Sequence, residues 1–368
     1  MLKLVFNLVL RVLDFFLPKK NMVCFYITPR TFWDANQQIL YAKLKGRHKV
    51  VVVDGNDIGG TRFLNTIMSI WNLSRSKIVI FDHSIPSGLI SSNHVMVNVW
   101  HGSPIKNIRF LCNNRFDEKF LLEQSKRTHY LASASNYDAL LMSSALNVPY
   151  FNVTKFGLPR NDYLTCTKNE LIDLDLYDEV QVVESKTKKY SKVALFAPTY
   201  RGDSHTKNDP AEFTEKQLLI LEKYLIRTNT LLLVRLHKFS SIDRNNGILN
   251  ISNVIDSSDY KNPMILLRYT DLLITDYSSI WIDFLLLKKP IIIYTPDIDV
   301  YTQNHGFIFD FEESIPCSPL TSFDGLIDNL DAALNSKVVS ERQNYFYERY
   351  HASKSHSSSD ELIELILR

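Results

Sequence analysis

The chain has 368 residues, 45% hydrophobic and 22% charged, which suits two ordinary globular domains and argues against extensive disorder. A net charge of +2 leaves no strong basic stripe, so no nucleic-acid partner is expected. Cys24, Cys112, Cys166 and Cys317 are scattered without a CxxC pair, which reads as reduced thiols in a cytoplasmic protein and excludes a disulfide framework or a zinc site.

The first predicted element is a helix over residues 1–20, MLKLVFNLVLRVLDFFLPKK. Lys3, Asn7, Arg11 and Asp14 recur at helical spacing and form one polar stripe, while Leu, Val and Phe fill the rest of the wheel. Arg11 and Asp14 interrupt the run of about 20 apolar residues that a spanning helix wants. The same charges, and the lack of an A-x-A-like site, argue against a signal peptide. The reading adopted is an amphipathic helix lying in the membrane interface, with Lys19 and Lys20 offered to anionic lipid. A helix packed on the protein's own surface is the alternative.

Beyond it, short apolar runs alternate with longer amphipathic stretches. VCFYIT, KVVVVDG, KIVIFD and VMVNVW read as buried strands, with helices expected over 34–45 and 61–74. The pattern resumes with KVALFAPTY, TLLLVRLH, DLLITDY and PIIIYTP. This alternation predicts an α/β protein with two parallel sheets covered by helices, joined through the charged stretch at about 164–189. Ligands of such sheets sit at the carboxyl ends of the strands, so the expected site is a cleft where the two sets of ends face each other. No internal repeat is visible, and the one biased patch is the Ser-rich segment 353–359.

Four groups fall at those strand ends. Trp100-His101-Gly102-Ser103-Pro104 follows VMVNVW and places an imidazole beside a glycine, suited to a general base near neutral pH; a structural turn histidine is the alternative. Thr199 and Arg201, after VALFAP, pair a hydroxyl with a guanidinium, both able to bind phosphate oxygens. Arg235 and His237 lie on the same side of an extended chain and can serve one anionic group. Asp276-Tyr277-Ser278-Ser279 joins the strand LLIT to a helix, where free N–H groups favour an anion and where ordinary N-capping explains the same residues. Asp297 and Asp299 mimic a DxD metal site, but no third ligand lies near them in sequence, so no metal is assigned there.

Taken in order, WHGSPIKNIRF, FAPTYRGD, VRLHK, IDSSDY, LLITDYSSIWIDFLLLKKPIIIYTPDIDVY and GFIFDFEESIP resemble the CDP-glycerol glycerophosphotransferase family, the teichoic-acid glycerol and ribitol phosphate primases and polymerases. The likeness runs from Val97 to Pro316. It implies the GT-B architecture, two Rossmann-like domains with their parallel sheets facing a cleft. On that basis residues 1–20 are assigned to the membrane-interface helix, 21–165 to an acceptor domain, 166–345 to a CDP-donor domain and 346–368 to a helical tail. The family's two functional histidines map onto His101 and His237, and its donor-phosphate contacts onto the Asp276–Ser279 turn. Two positions depart from the family's pattern: Ser103 replaces the usual Thr, and His351–Ser357 stands where a DGxAS-like stretch is common.

The chemistry implied is attack by an acceptor hydroxyl, with His101 as base, on the β-phosphorus of a CDP-polyol with release of CMP and no cofactor. His237, Arg235, Arg201 and Thr199 neutralise or bind the pyrophosphate and Ser278 and Ser279 supply hydrogen bonds. Asp276 and Asp283 are candidates for a ribose contact or a structural role. The expected partners are a CDP-polyol, a lipid-linked glycan or polyol-phosphate acceptor, as in teichoic-acid, capsule or O-antigen synthesis, and the cytoplasmic face of the membrane. The competing readings are a GT-B glycosyltransferase using a UDP- or CMP-sugar and a membrane-associated binding protein with a degenerate site.

Overall fold

Runs of β-branched residues become strands buried on both faces, and these assemble into two separate parallel sheets. The computed structural model describes residues 2–29, 33–58, 63–112, 118–199, 201, 212–236, 247–336, 338–351 and 357–368. The chain divides into two units. The first holds Met1–Ser103, Ile108–Leu176 and His351–Arg368, and the second Pro104–Asn107 and Tyr177–Tyr350.

In the first unit the strands are β1 (Lys20–Ile27), β2 (Lys49–Asp54), β3 (Ser76–Phe81), β4 (Val95–Asn98) and β5 (Tyr130–Leu131), in the order β2-β1-β3-β4-β5. All are parallel. The strand order reverses at β1, so the switch point lies between β1 and β3. Helix α1 spans Leu2–Phe16, α2 spans Ala35–Leu44 and α3 spans Phe63–Arg75. Asp34 caps α2 by accepting from the Asn36 amide, which fixes where the chain leaves the loop after β1.

Helix α1 is oriented opposite to an ordinary surface helix. Its polar residues Asn7 and Asp14 face the unit: Asn7 Oδ1 accepts from Gly88 N at 2.8 Å, and Asp14 accepts from Ile90 N at 2.7 Å. Asp14 Oδ1 also lies 2.9 Å from His94 Nε2 and 2.6 Å from Lys19 Nζ. Lys19 is therefore committed to Asp14 and to the Ser74 carbonyl, and the expectation that it is offered to lipid is corrected; Lys20 remains exposed. Phe6 and Leu10 enter the core, while Leu4, Val5, Leu8, Val9, Val12, Phe15 and Phe16 face outward. Helix α3, packed against α1, adds the exposed side chains of Leu64, Ile67, Met68 and Trp71.

In the second unit β6 (Lys192–Ala197), β7 (Thr230–Val234), β8 (Val254–Asp256), β9 (Leu272–Thr275) and β10 (Ile291–Ile293) follow the order β10-β9-β6-β7-β8, again all parallel. The switch point here lies between β6 and β9. Ala194, Phe196, Leu232, Val234, Leu272 and Ile274 from the central strands head the core cluster beneath the flanking helices.

Eight of these strands coincide with runs read from the sequence. The edge strands β5 and β8 do not, being two and three residues long with no alternation to read. The charged stretch at 164–189 folds into helices Lys168–Asp173 and Tyr177–Thr187, with the passage between units at 176/177. The last helix, Ser358–Leu367, belongs to the first unit. There Asp162 accepts from the amides of Ser358 (2.9 Å) and Ser359 (3.2 Å) and from the Ser357 hydroxyl (2.8 Å), with Lys43 at 3.3 Å.

Candidate active site

At the end of β4 the backbone is strained and pinned. Trp100 is 3% exposed and adopts φ 44°, a region that bulky residues avoid. Its amide donates to Asn98 Oδ1 at 2.9 Å and its carbonyl accepts from Asn36 Nδ2 at 3.0 Å. Asn36 Oδ1 in turn accepts from Arg160 N at 2.9 Å, and the Arg160 guanidinium donates to the His101 carbonyl. Gly102 follows at φ 141°, a conformation that only glycine tolerates well. These constraints leave His101 exposed with its backbone locked. Ser103 is buried, and its hydroxyl has no hydrogen-bond partner among the described residues.

The His101 ring stacks on His83, with centroids 4.4 Å apart and planes 11° apart, and leans on Trp100 at 4.2 Å. The imidazole still meets solvent, yet the protein crowded around it removes much of its hydration, and His83 and Arg160 add positive charge. Both effects hold its pKa below the ordinary histidine value, with Asp82 opposing. The exposed ring is therefore an uncharged proton acceptor near neutral pH.

His83 and Asp82, at the end of β3, carried no signal beyond a second histidine at a strand end. Asp82 Oδ1 accepts from Thr28 Oγ1 at 2.6 Å and from the His83 amide at 2.8 Å, and Asp82 Oδ2 lies 2.9 Å from His83 Nδ1. An open pocket of about 330 Å³, lined in part by Phe81, His83, Asn98, Arg109 and Leu121, lies alongside.

In the second unit the ends of β6 and β9 meet at the switch point. Thr199 donates to Asp276 through its amide, at 2.8 and 3.0 Å, and through its hydroxyl at 2.7 Å. Arg201 Nη2 lies 2.7 Å from Asp276 Oδ2, while its Nε donates to Asp297 Oδ2 at 2.7 Å and its Nη1 to the Thr199 carbonyl at 2.7 Å. Tyr277 donates to Asp297 Oδ1 at 2.9 Å, and Arg201 lies over the rings of Tyr277 and Tyr301, themselves stacked at 3.7 Å. Burial works against the Arg201 charge, but Asp276 and Asp297 outweigh it and raise its pKa.

The structure gives Thr199 and Arg201, read from the sequence as phosphate ligands, partners within the protein. Two buried carboxylates need a fixed cation and fixed donors, and these two residues supply them. Asp297 is the counter-ion of Arg201, a role that a search for metal ligands does not suggest. Asp283 is 1% exposed, within the buried stretch Trp281–Phe284 of the short helix Ile280–Phe284.

Ser278 and Ser279 are half-buried at the start of that helix. Ser278 Oγ accepts from Ile280 N at 3.3 Å, and the Ser279 side chain makes no capping bond. Five residues carry little macrodipole, so any anion preference of this turn rests on its hydroxyls and amides. Arg235 donates to the carbonyls of Ser257 (3.2 Å) and Tyr260 (2.6 Å); burial lowers its pKa, and no carboxylate pairs with it among the described residues. His237 lies outside the described residues.

Lys106, from the WHGSPIK segment, was not singled out by the sequence reading. Its backbone bridges to Phe307, and Ile308 N donates to the Ile105 carbonyl at 3.2 Å. Burial and the neighbouring Arg201 lower its pKa against the pull of Asp276; His305, lowered by its own burial and then by Lys106, stacks on Tyr301 at 4.4 Å. The second unit therefore holds Lys106, Arg201 and His305 around one aromatic stack.

A profile of the CDP-glycerol:poly(glycerophosphate) glycerophosphotransferase family matches residues 9–368. The teichoic acid poly(glycerol phosphate) polymerase of Bacillus spizizenii is 27% identical over 85% of this chain and 80% of its own length. The teichoic acid glycerol-phosphate transferase of Staphylococcus aureus is 25% identical over 96% of this chain and 94% of its own. Among solved structures, the wall teichoic acid polymerase TagF superposes with a TM-score of 0.79 at 22% identity, covering 97% of this chain and 92% of that one. TagF has also been solved as a histidine-to-asparagine variant soaked with CDPG. The two parallel α/β units and the likeness to TagF give the chain the GT-B fold expected from the sequence. With a family match that runs from the first helix to the last residue, the chain belongs to the CDP-glycerol:poly(glycerophosphate) glycerophosphotransferase family.

Proposed function

We propose that this chain transfers a polyol phosphate, with glycerol phosphate as the first choice, from a CDP-polyol to a hydroxyl of a membrane-linked glycan or polyol-phosphate acceptor. The observation that carries this reading is His101, an exposed and uncharged imidazole fixed by the strained backbone at Trp100. His101 takes the proton of the acceptor hydroxyl as the oxygen attacks the β-phosphorus. The bond from that phosphorus to the bridging oxygen breaks, and CMP leaves with the electron pair. Such a reaction needs positioning and charge neutralisation more than covalent help.

The first unit is assigned to the acceptor, whose reacting end suits the pocket beside His83. The second unit is assigned to the donor. Arg235 and Lys106 are two of its cations that make no carboxylate hydrogen bond among the described residues, and Ser278 and Ser279 offer hydroxyls. Arg201 and Thr199 shape the site through Asp276. His237 keeps the role that the resemblance gives it.

The acceptor reading is joined to a membrane surface. No helix among the described residues is long and apolar enough to cross a bilayer. The outward side chains of α1 and α3 are instead apolar and aromatic, with exposed Arg11 and Lys20 and no exposed carboxylate on either helix. That composition suits insertion to headgroup depth in anionic lipid.

The test is calorimetric binding of CDP-glycerol, CDP-ribitol, UDP-N-acetylglucosamine and CMP-sialic acid, followed by CMP release with a lipid-linked acceptor. Selective binding of a CDP-polyol, with His101→Ala cutting turnover by about 10²–10⁴-fold while donor affinity holds, supports the reading. Binding of a UDP- or CMP-sugar alone, or full activity of His101→Ala, sinks it.

A further inference from the structure

We propose that His83 is the positioning residue of His101: beside Asp82 at the end of β3, it holds the His101 ring by stacking face to face and sets its own ring directly against it. This rests on the assignment of His101 as the base. Nothing in the motif that carries His101 points to His83, which reaches it from the neighbouring strand.

Three observations carry the inference. The rings lie face to face, 4.4 Å apart and 11° from parallel, so a proton on one opposes a proton on the other. His83 sits against Asp82 through both ring and backbone: its Nδ1 lies 2.9 Å from Asp82 Oδ2 and its amide donates to Asp82 Oδ1. Asp82 is itself held by the Thr28 hydroxyl; burial would raise its pKa, but bonds from His83 and Thr28 keep it below the usual carboxylate range. Positive charge on His83 disfavours a proton on His101.

Among the described residues, the charged groups that act on the pair can be named. Asp82 and His83 come from the end of β3, His101 from the end of β4, Arg109 from the turn that follows, and Arg160 from the loop that Asn36 pins. Asp34 caps α2, with its carboxyl pushed up to about 6 by burial against the pull of Arg160. Arg109 lies over Trp100 at 5.4 Å, and Arg160 binds the His101 carbonyl, so neither can replace the stack. Asp34 titrates near the range of interest and needs its own control.

Two substitutions separate charge from stacking. His83→Phe keeps a flat ring and removes the charge, while His83→Ala removes both. The His101 imidazole is followed by NMR titration, its resonance assigned with His101→Ala, so that no acceptor is needed. The expected result is a His101 midpoint about one unit higher in His83→Phe than in the unsubstituted chain. At pH 8, where His101 is uncharged in both, the rate of CMP release falls about tenfold further in His83→Ala than in His83→Phe. Asp34→Asn leaves the midpoint difference in place, and urea unfolding checks that each variant is folded. An unmoved midpoint in His83→Phe, or equal rates for the two His83 variants, overturns the proposal. Full activity of His101→Ala removes the base assignment instead, and the titration still reads whether the two rings are coupled.

Discussion

The hydroxyl of Thr199 donates to Asp276 Oδ1 at 2.7 Å, across the two strands where the order of the second sheet reverses. Thr28 does the same to Asp82 at 2.6 Å, across the reversal of the first sheet. Each unit thus closes its switch point with a threonine after the first strand and an aspartate after the strand beside it. The residues assigned to chemistry hang from these clasps: His83 follows Asp82, and Ser278 and Ser279 follow Asp276.

Asp276→Asn tests the second clasp. Asp276 is fully buried and faces Arg201, so the neutral amide leaves part of a buried guanidinium charge uncompensated. Unfolding in urea should show a loss of about 3 kcal/mol. Calorimetry should show CDP-glycerol binding weakened by tenfold or more, since Arg201 and the Ser278–Ser279 turn lose their shared anchor.

Asp14 links stability to pH. Burial would raise its pKa, but His94 and Lys19 hold it below the usual carboxylate range. A depressed folded-state pKa gives stability that is present above the unfolded value, near 4, and is lost as pH falls through the folded one. The melting temperature should therefore fall steeply below about pH 4, and Asp14→Asn should be less stable at pH 7 and flatter through the acid range.

The outward residues of α1 and α3 can be changed without touching the core. Replacing Leu8, Phe15, Met68 and Trp71 with serine should leave the melting temperature within a few degrees. Each lost side chain removes about 1.5–3 kcal/mol of transfer energy, so sedimentation with anionic vesicles should drop by more than an order of magnitude. Unchanged sedimentation would remove the membrane from the reading.

Asp162→Ala tests how the C-terminal helix is held. The carboxylate accepts the first amides of Ser358–Leu367, so its loss leaves that helix start without its acceptor, while Lys43 keeps Asp360 at 2.7 Å. Hydrogen exchange should show that helix fraying first, with a global cost of about 2 kcal/mol.

Much of the architecture was written in local patterns. Val50–Val53 and Ile291–Ile293 read as strands because nothing else concentrates β-branched residues in so few positions, and His101 stood out because Gly102 follows it. Other features depend on partners far along the chain. No local rule says that Asp297 neutralises Arg201, 96 residues earlier, or that His83 lies against His101. The positive φ of Trp100 is held by Asn36 from helix α2, and the sequence offers a tryptophan where a glycine would fit more easily. The helical wheel of α1 grouped Lys3, Asn7, Arg11 and Asp14 as one polar stripe, but a wheel cannot say which side faces in: Asn7 and Asp14 turn inward with Phe6 and Leu10, and Arg11 is exposed.

That inverted helix has a practical side for anyone who wants the protein free of detergent. Trimming the first sixteen residues would remove the greasy surface, but it would also strip the amides of Gly88 and Ile90, the His94 ring and Lys19 of their acceptors. The hydrophobic skin and the internal bracket are opposite sides of one helix. A better-behaved protein comes from repainting its outer side and leaving the helix in place.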